Sequence, residues 1–247
     1  MTPPDVALLA VLIFGAACLY SSVGHAGASG YLAAMALFGL APAVMKPSAL
    51  TLNILVAAIA TVKFCRAGCF SWRLLWPFAV ASVPLAFVGG MLHLPGAYYR
   101  PVVGVVLLYA AYRMYRASRH ADQPGNTRPP QMVAAILAGG AIGLLSGLTG
   151  VGGGIFLSSL LLFMGWAETK QTSGVSAVFI LVNSIAGLGG HLSSMPQLPT
   201  ALPFWAVAAA AGGWLGSEYG SRRLASGTVQ LLLALVLVIA GLKLALT

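Results

Sequence analysis

The sequence has little charge, and least of all negative charge. Only 7% of its 247 residues are charged, with four Asp and Glu against thirteen Lys and Arg, whereas a soluble domain carries about 25%. This shortage excludes a soluble globular protein. The formal charge of +9 is scattered through short gaps between apolar stretches and does not gather on one face, so nucleic acid is not an expected partner.

Cysteine is scarce as well. Cys18, Cys65 and Cys69 are an odd number without a disulfide-framework spacing, and no histidine or further cysteine stands near Cys65 and Cys69 to complete a metal site. We interpret all three as apolar filling residues. The sequence therefore predicts no metal and no cofactor.

Long apolar stretches, by contrast, recur along the whole chain. The hydrocarbon core of a bilayer is about 30 Å thick and needs about 20 apolar helical residues to cross it. Runs of this kind predict an all-α polytopic membrane protein. Two of them, 31–41 and 154–166, would reach only about 16 and 20 Å as helices and cannot cross alone. The ten apolar segments lie near 6–21, 31–41, 48–64, 74–92, 101–117, 132–148, 154–166, 174–190, 201–217 and 228–246.

The chain also matches itself at an offset of 126 residues. Matched glycines and prolines are harder to obtain by chance than matched apolar residues, so the chain is interpreted as a duplicated unit. We predict a first repeat over 1–117, a cytoplasmic linker over 118–130 and a second repeat over 131–247. The pairs include Gly24 with Gly150, Gly27 with Gly153, Gly39 with Gly165, Pro77 with Pro203 and Gly90 with Gly216.

The positions of the cations predict the orientation. Lys and Arg are enriched in cytoplasmic loops, and an outside N-terminus places ten of them inside and three outside. Each repeat then has an odd number of crossings, so the second copy is inverted. We predict that each repeat holds a broken or re-entrant helical hairpin and about three membrane-crossing helices. Inverted repeats with interrupted helices are typical of secondary transporters.

The candidate site lies at two glycine-rich turns that precede the short segments. A glycine turn before a helix N-terminus points several backbone N–H groups at one spot, which suits an anion. Alternatively, the glycines only let helices approach closely, and the buried amides only join helices. The predicted substrate-binding residues are Gly24, His25, Gly27 and Ser29 at the first turn, Thr149, Gly150, Gly152, Gly153 and Gly154 at the second, and Asn53, Ser173 and Asn183 nearby.

Two features of the sequence bear on the chemistry of transport. No carboxylate is expected deep in the membrane, which favours an anionic or neutral substrate over a cation. His25 is the only titratable side chain beside either turn, and histidine titrates near neutral pH. We therefore predict His25 as the coupling residue, with protons as the coupling ion; the alternative is transport driven by the substrate gradient alone. The other expected partners are a small anion, the lipid bilayer and a second copy of the chain in a homodimer.

Two other functions stay open at this stage. An anion channel needs no coupling residue. An intramembrane serine protease would use Ser29 in Gly27-Ala28-Ser29-Gly30, with His191 or His93 as its base. The repeat has Ile155 where Ser29 stands, and the sequence predicts no enzyme and no catalytic residue.

The second glycine turn also carries a family resemblance. The run Gly150-Val151-Gly152-Gly153-Gly154-Ile155, followed by Gly165, Lys170, Ser173 and the Asn183-Ser184 pair, resembles the sulfite exporter TauE/SafE family. The resemblance covers nearly the whole chain, although Gly24-His25-Ala26-Gly27 replaces the glycine run in the first repeat. It implies a multi-pass permease of the bacterial inner membrane for sulfite, sulfonates such as sulfoacetate, or related organic anions.

Overall fold

A computed structural model describes residues 2–92, 95–119, 128–192, 198–222, 235, 237–239 and 241–242. These residues are helical apart from turns and short connections, with no strand among them. The predicted all-α fold is confirmed. Most of the predicted linker 118–130 and most of the apolar segment 228–246 lie outside the described residues, as does His93.

Five of the helices, α1, α3, α4, α6 and α8, are long and apolar enough to cross a membrane. This agrees with the prediction of a multi-pass membrane protein. The bounds are α1 Pro3–Ser21, α2 Ala28–Leu37, α3 Pro42–Arg66, α4 Trp72–Met91, α5 Gly96–Arg119, α6 Met132–Thr149, α7 Gly154–Phe163, α8 Thr169–Leu192 and α9 Leu202–Arg222.

The short helices α2 and α7 correspond residue for residue. Each has ten residues, and the bounds of α7 are those of α2 shifted by 126. Gly39 and Gly165, which follow them, both adopt the left-handed conformation, with φ of +70° and +64°. At about 1.5 Å per residue, neither helix can cross a membrane.

The hairpin formed by α6 and α7 returns to the side on which it starts. The backbone N–H of Arg128, four residues before α6, donates to the carbonyl of Gly165, just after α7, at 3.0 Å. The end of α7 therefore lies beside the beginning of α6. This contact supports the predicted re-entrant hairpin.

The helices α3 and α8 run in opposite directions where they pack. Asn53, in the middle of α3, donates to the hydroxyl of Ser184, late in α8, at 3.0 Å. Gly174, early in α8, packs against the carbonyl of Cys69, just after α3. Since α3 and α8 occupy the same place in the two predicted repeats, their opposite directions support an inverted relation between the repeats.

The helices α4 and α6 run in the same direction and touch backbone to backbone. A Cβ atom on each of three glycines of α6 would overlap main-chain atoms of α4. The same spacing recurs on α9, which packs along α1 with three glycines of its own. The glycines are Gly139, Gly143 and Gly147 on α6, and Gly212, Gly216 and Gly220 on α9.

These pairings divide the helices into two sets that run in opposite directions. Helix α9 runs parallel to α3, since Gly213 packs on Val56 and Glu218 pairs with Lys63. Helix α4 runs parallel to α8. Thus α1, α3 and α9 point one way, and their counterparts α6, α8 and α4 point the other. The inverted arrangement remains a prediction that this packing supports, and the repeat boundaries remain a prediction.

The close contact of α6 glycines with α4 leads to a prediction about the stability of the protein. Replacement of Gly143 by alanine should lower the free energy of unfolding by about 1–3 kcal/mol, because its Cβ would overlap Ser82. The matched control is Gly15→Ala in α1, where none of the described residues lies within 4 Å of the position that the new Cβ would take. This variant should be neutral or more stable by up to about 1 kcal/mol, the difference in helix propensity. Thermal unfolding in detergent would check both, and equal shifts would contradict the contact.

Candidate functional site

Both predicted glycine turns interrupt the helices where the sequence places them. Gly24 and Gly27 lie between α1 and α2 with φ of +78° and +97°. The second turn lies between α6 and α7, and Gly27 and Gly153 are the N-cap residues of α2 and α7. Glycine is favoured at such positions because a Cβ atom is strained there. The left-handed residues of the second turn are Gly150, Gly152 and Gly153.

The two turns meet, although more than a hundred residues separate them in the chain. The Nε2 atom of His25, in the first turn, lies 2.9 Å from the Oγ atom of Ser158 on α7. The imidazole also lies against Gly154, 3.3 Å from the position that a Cβ would take. Ala26 and Val151 belong to one buried apolar cluster. The two predicted repeats are therefore in contact at their helix breaks.

The N-terminus of α7 presents backbone donors in this region. The N–H groups of Gly153, Gly154 and Ile155 have no hydrogen-bond acceptor among the described residues, and the first one that does is Phe156, which donates to the carbonyl of Gly153 at 3.1 Å. Unsatisfied N–H groups and the positive end of the helix dipole attract an anion. Gly153 and Gly154 carry no side chain of their own, and the side chain of Ile180 lies where a Cβ on Gly154 would stand.

Two buried polar side chains lie beside the second turn, and each has one polar atom without a hydrogen bond to the described residues. Asn53 is fully buried and its amide occupies the space where Gly152 would carry a Cβ. Its Nδ2 donates to Ser184, whereas its Oδ1 has no partner within the described part of the chain. Ser146, whose Cβ lies 3.4 Å from the position of a Cβ on Gly153, also has a buried hydroxyl without a partner there.

The remaining residues predicted at the first turn have mainly packing contacts. Gly24 lies against the backbone of Ser173, whose hydroxyl donates to the carbonyl of Thr169 at 3.0 Å. Gly27 lies against Tyr31, whose hydroxyl donates to the carbonyl of Ala26 at 2.5 Å. These contacts hold the turn against α8 and α2.

Ser29 is buried, and no histidine of the described residues is hydrogen-bonded to its hydroxyl. His25 lies beside Ser158 instead. A nucleophilic serine requires a base within hydrogen-bond reach, and the described geometry does not provide Ser29 with one.

Thr149 and Gly150 lie at the end of α6, where contacts with residues outside the glycine turn hold them in place. The hydroxyl of Thr149 donates to the carbonyl of Leu145 at 2.7 Å, and its own carbonyl accepts from Tyr99 at 3.0 Å. Gly150 packs against Lys46 at the beginning of α3. These contacts position the turn through its backbone.

Asn183 lies on α8, where its amide is used within the protein. Its Oδ1 accepts from the hydroxyl of Ser82 on α4 at 2.7 Å, and its Nδ2 donates to the carbonyl of Phe179 at 2.9 Å. Asn183 therefore joins α8 to α4, whereas Asn53 both joins α3 to α8 and lies against the glycine turn.

Lys46, which the sequence offers as a weaker candidate for attracting an anion, binds helix carbonyls in the structure. Its side chain is buried, at 5% exposure, and its ammonium donates to carbonyls of Gly89, Gly90 and Leu92 at 3.2 to 3.5 Å. The last carbonyls of a helix lack partners within it and attract a cation. Lys46 therefore connects the end of α4 to α3, beside the second turn.

Ser158 lies at the candidate site but was not predicted from the sequence. In the repeat alignment, Ser158 corresponds to Leu32 and His25 corresponds to Val151. Each partner is thus polar in one copy only. The self-comparison of the sequence therefore carries no signal for this pair, whereas it does mark the glycines that both copies share.

Comparison with known proteins agrees with this architecture. Residues 9–244 match the family model described as Sulfite exporter TauE/SafE. A probable membrane transporter protein of Sinorhizobium fredii is 44% identical over 238 residues, which are 96% of each chain. A probable membrane transporter protein of Methanocaldococcus jannaschii is 28% identical over 127 residues, 50% of this chain and 46% of the relative. No solved structure matches.

The family model covers almost the whole chain, and the names of both relatives indicate membrane transport and not an enzyme. Apolar helices of membrane-spanning length, interrupted at two glycine turns that meet, are consistent with such a protein. The chain belongs to the sulfite exporter TauE/SafE family of membrane transporters.

Proposed function

We propose that this protein is a secondary-active transporter of small sulfur-containing or organic oxyanions in the bacterial inner membrane. The observation that carries the proposal is the contact of His25 with Ser158 and Gly154. It joins a titratable side chain of the first predicted repeat to the anion-attracting N-terminus of α7 in the second. A site shared by two inverted halves can open to either side of the membrane as one half moves against the other.

The substrate binds at the second turn in this proposal. Backbone N–H groups of Gly153, Gly154 and Ile155 donate to its oxygens, and the hydroxyl of Ser146 supplies a side-chain donor. Several neutral donors aimed at one point stabilise an anion. The description of the family as sulfite exporters supports sulfite as the first substrate to test.

His25 couples transport to protons in this proposal. A protonated imidazole and an anion beside Gly154 attract one another strongly in a medium of low dielectric constant. Binding of the anion and of the proton therefore favour each other. Release of the proton on the other side of the membrane then favours release of the anion, and the reverse also holds. The flux of the anion is thereby linked to the flux of protons.

Counterflow separates a transporter from an anion channel. Proteoliposomes loaded with unlabelled sulfite are diluted into a trace of labelled sulfite. An alternating-access transporter exchanges the two, so the label transiently accumulates inside, whereas an open pore only equilibrates it. Empty liposomes are the control. Equilibration without an overshoot, at a rate that does not saturate, would exclude the transporter and favour the channel.

A further inference from the structure

We infer that Asn53 is a specificity-determining residue that accepts a hydrogen bond from a hydroxyl group of the transported anion. The inference rests on the proposed function, because it takes the second glycine turn as the substrate site. It goes beyond that function by naming the chemical class that the site prefers, an oxyanion that also carries a hydrogen-bond donor.

The position of the Asn53 amide is the first step. The side chain has no exposed surface, and its amide lies where Gly152, at φ +82°, would carry a Cβ. A side chain at Gly152 would displace the amide. The absence of one lets Asn53 and its partner Ser184 reach the backbone of the turn.

Only one of the two polar atoms of the Asn53 amide makes a hydrogen bond with the described residues. Nδ2 donates to Ser184 at 3.0 Å, but Oδ1 has no donor among the residues that the structure describes. A buried carbonyl without a hydrogen bond costs about 1–3 kcal/mol, so buried amides are normally satisfied on both atoms. Asn183, with both amide atoms bonded, shows the usual situation in the same protein.

The third step combines this acceptor with the donors beside it. The N–H groups of Gly153, Gly154 and Ile155 need an acceptor, which the oxygens of a sulfonate or sulfite provide. The Oδ1 of Asn53 needs a donor, which an anionic head group without protons does not have. A ligand with an anionic head and a neighbouring hydroxyl would satisfy both.

The two predicted repeats differ both at the position of Asn53 and at the position of Gly152. Position 179 carries phenylalanine where the first repeat has Asn53, and position 26 carries alanine where the second has Gly152. The amide and the glycine that makes room for it therefore occur together, at one turn only. Because only one turn has this acceptor, a substrate with an anionic head and a hydroxyl can bind in only one orientation.

The test uses two sulfonates of equal size. In 2-hydroxyethanesulfonate a hydroxyl replaces the terminal methyl of propane-1-sulfonate. The dissociation constants for the purified full chain are measured by thermal shift, since a ligand that binds the folded state stabilises it. We expect the hydroxylated compound to bind at least about tenfold more tightly. Asn53→Leu and the smaller Asn53→Ser should reduce this ratio to nearly one.

The matched control is Thr51→Val, an isosteric change on the same helix. The hydroxyl of Thr51 donates to the carbonyl of Pro47 in its own helix at 2.9 Å, so the preference should persist in this variant. The wild-type ratio is informative even if the Asn53 variants fail to fold.

The outcomes separate the inference from the proposed function. Equal binding of both sulfonates by the wild type, or a preference that survives in a folded Asn53 variant, overturns the inference alone. Binding of sulfite with neither sulfonate also overturns the inference and leaves the function standing. Failure to bind any of the three overturns the proposed function as well.

Discussion

Replacement of Gly152 by alanine is expected to weaken substrate binding by about a hundredfold, or roughly 2.7 kcal/mol. The new Cβ would overlap the Asn53 amide and lie 3.0 Å from Ile180 and 3.1 Å from Ser184. The amide must therefore move away from the turn, and the backbone donors of α7 lose their alignment. Binding of sulfite to the purified variant, measured by thermal shift, checks the prediction.

Gly165→Ala is the control that separates crowding from backbone strain. Gly165 has a similar positive φ of +64°, but no atom of the described part of the chain lies within 4 Å of the position that its Cβ would take. Alanine there costs stability through its left-handed conformation, about 1 kcal/mol, without touching the site. Gly165→Ala should lower the melting temperature and leave the affinity unchanged. An unchanged affinity in a folded Gly152→Ala would show that the second turn is not the site.

The second large effect concerns His25. Replacement of His25 by glutamine should abolish the accumulation of substrate driven by a pH gradient and preserve counterflow exchange. Glutamine can still form a hydrogen bond with Ser158 but cannot bind a proton. With one proton per monovalent anion, a gradient of one pH unit drives about tenfold accumulation in the wild type. The variant should reach a ratio of about one, as measured in proteoliposomes with labelled sulfite at an acidic pH, where it is the monovalent hydrogensulfite ion.

Ser158→Ala separates coupling from positioning. It removes the 2.9 Å contact with His25 but keeps the imidazole. We expect slower transport that still concentrates the substrate. If His25→Gln concentrated sulfite as well as the wild type does, a group other than His25 would carry the coupling.

The breaks in the helices were predictable from local residue type. Glycine is the residue that adopts a left-handed conformation without strain, and Gly24, Gly27, Gly150 and Gly153 occur at matching places in a repeat of 126 residues. Helix length followed from composition in the same way, because a segment as short as 31–41 cannot cross a bilayer.

The roles of the polar residues were not predictable in this way. Asn53 and Asn183 look equivalent in the sequence, since both are amides in apolar segments. One lies against a glycine turn with an unsatisfied oxygen, and the other joins α8 to α4. The difference depends on which helices face each residue, and those neighbours are far away in the chain.

Composition, periodicity and self-similarity were thus enough to establish an all-helical membrane protein with two glycine turns at corresponding positions, because each of these depends on a residue and its near neighbours. The meeting of the two turns, the contact of His25 with Ser158 and the space beside Gly152 for Asn53 arise only when α3, α7 and α8 pack together. Hydrogen bonds and close packing act over a few ångströms. Partners more than a hundred residues apart are therefore visible only once the chain is folded.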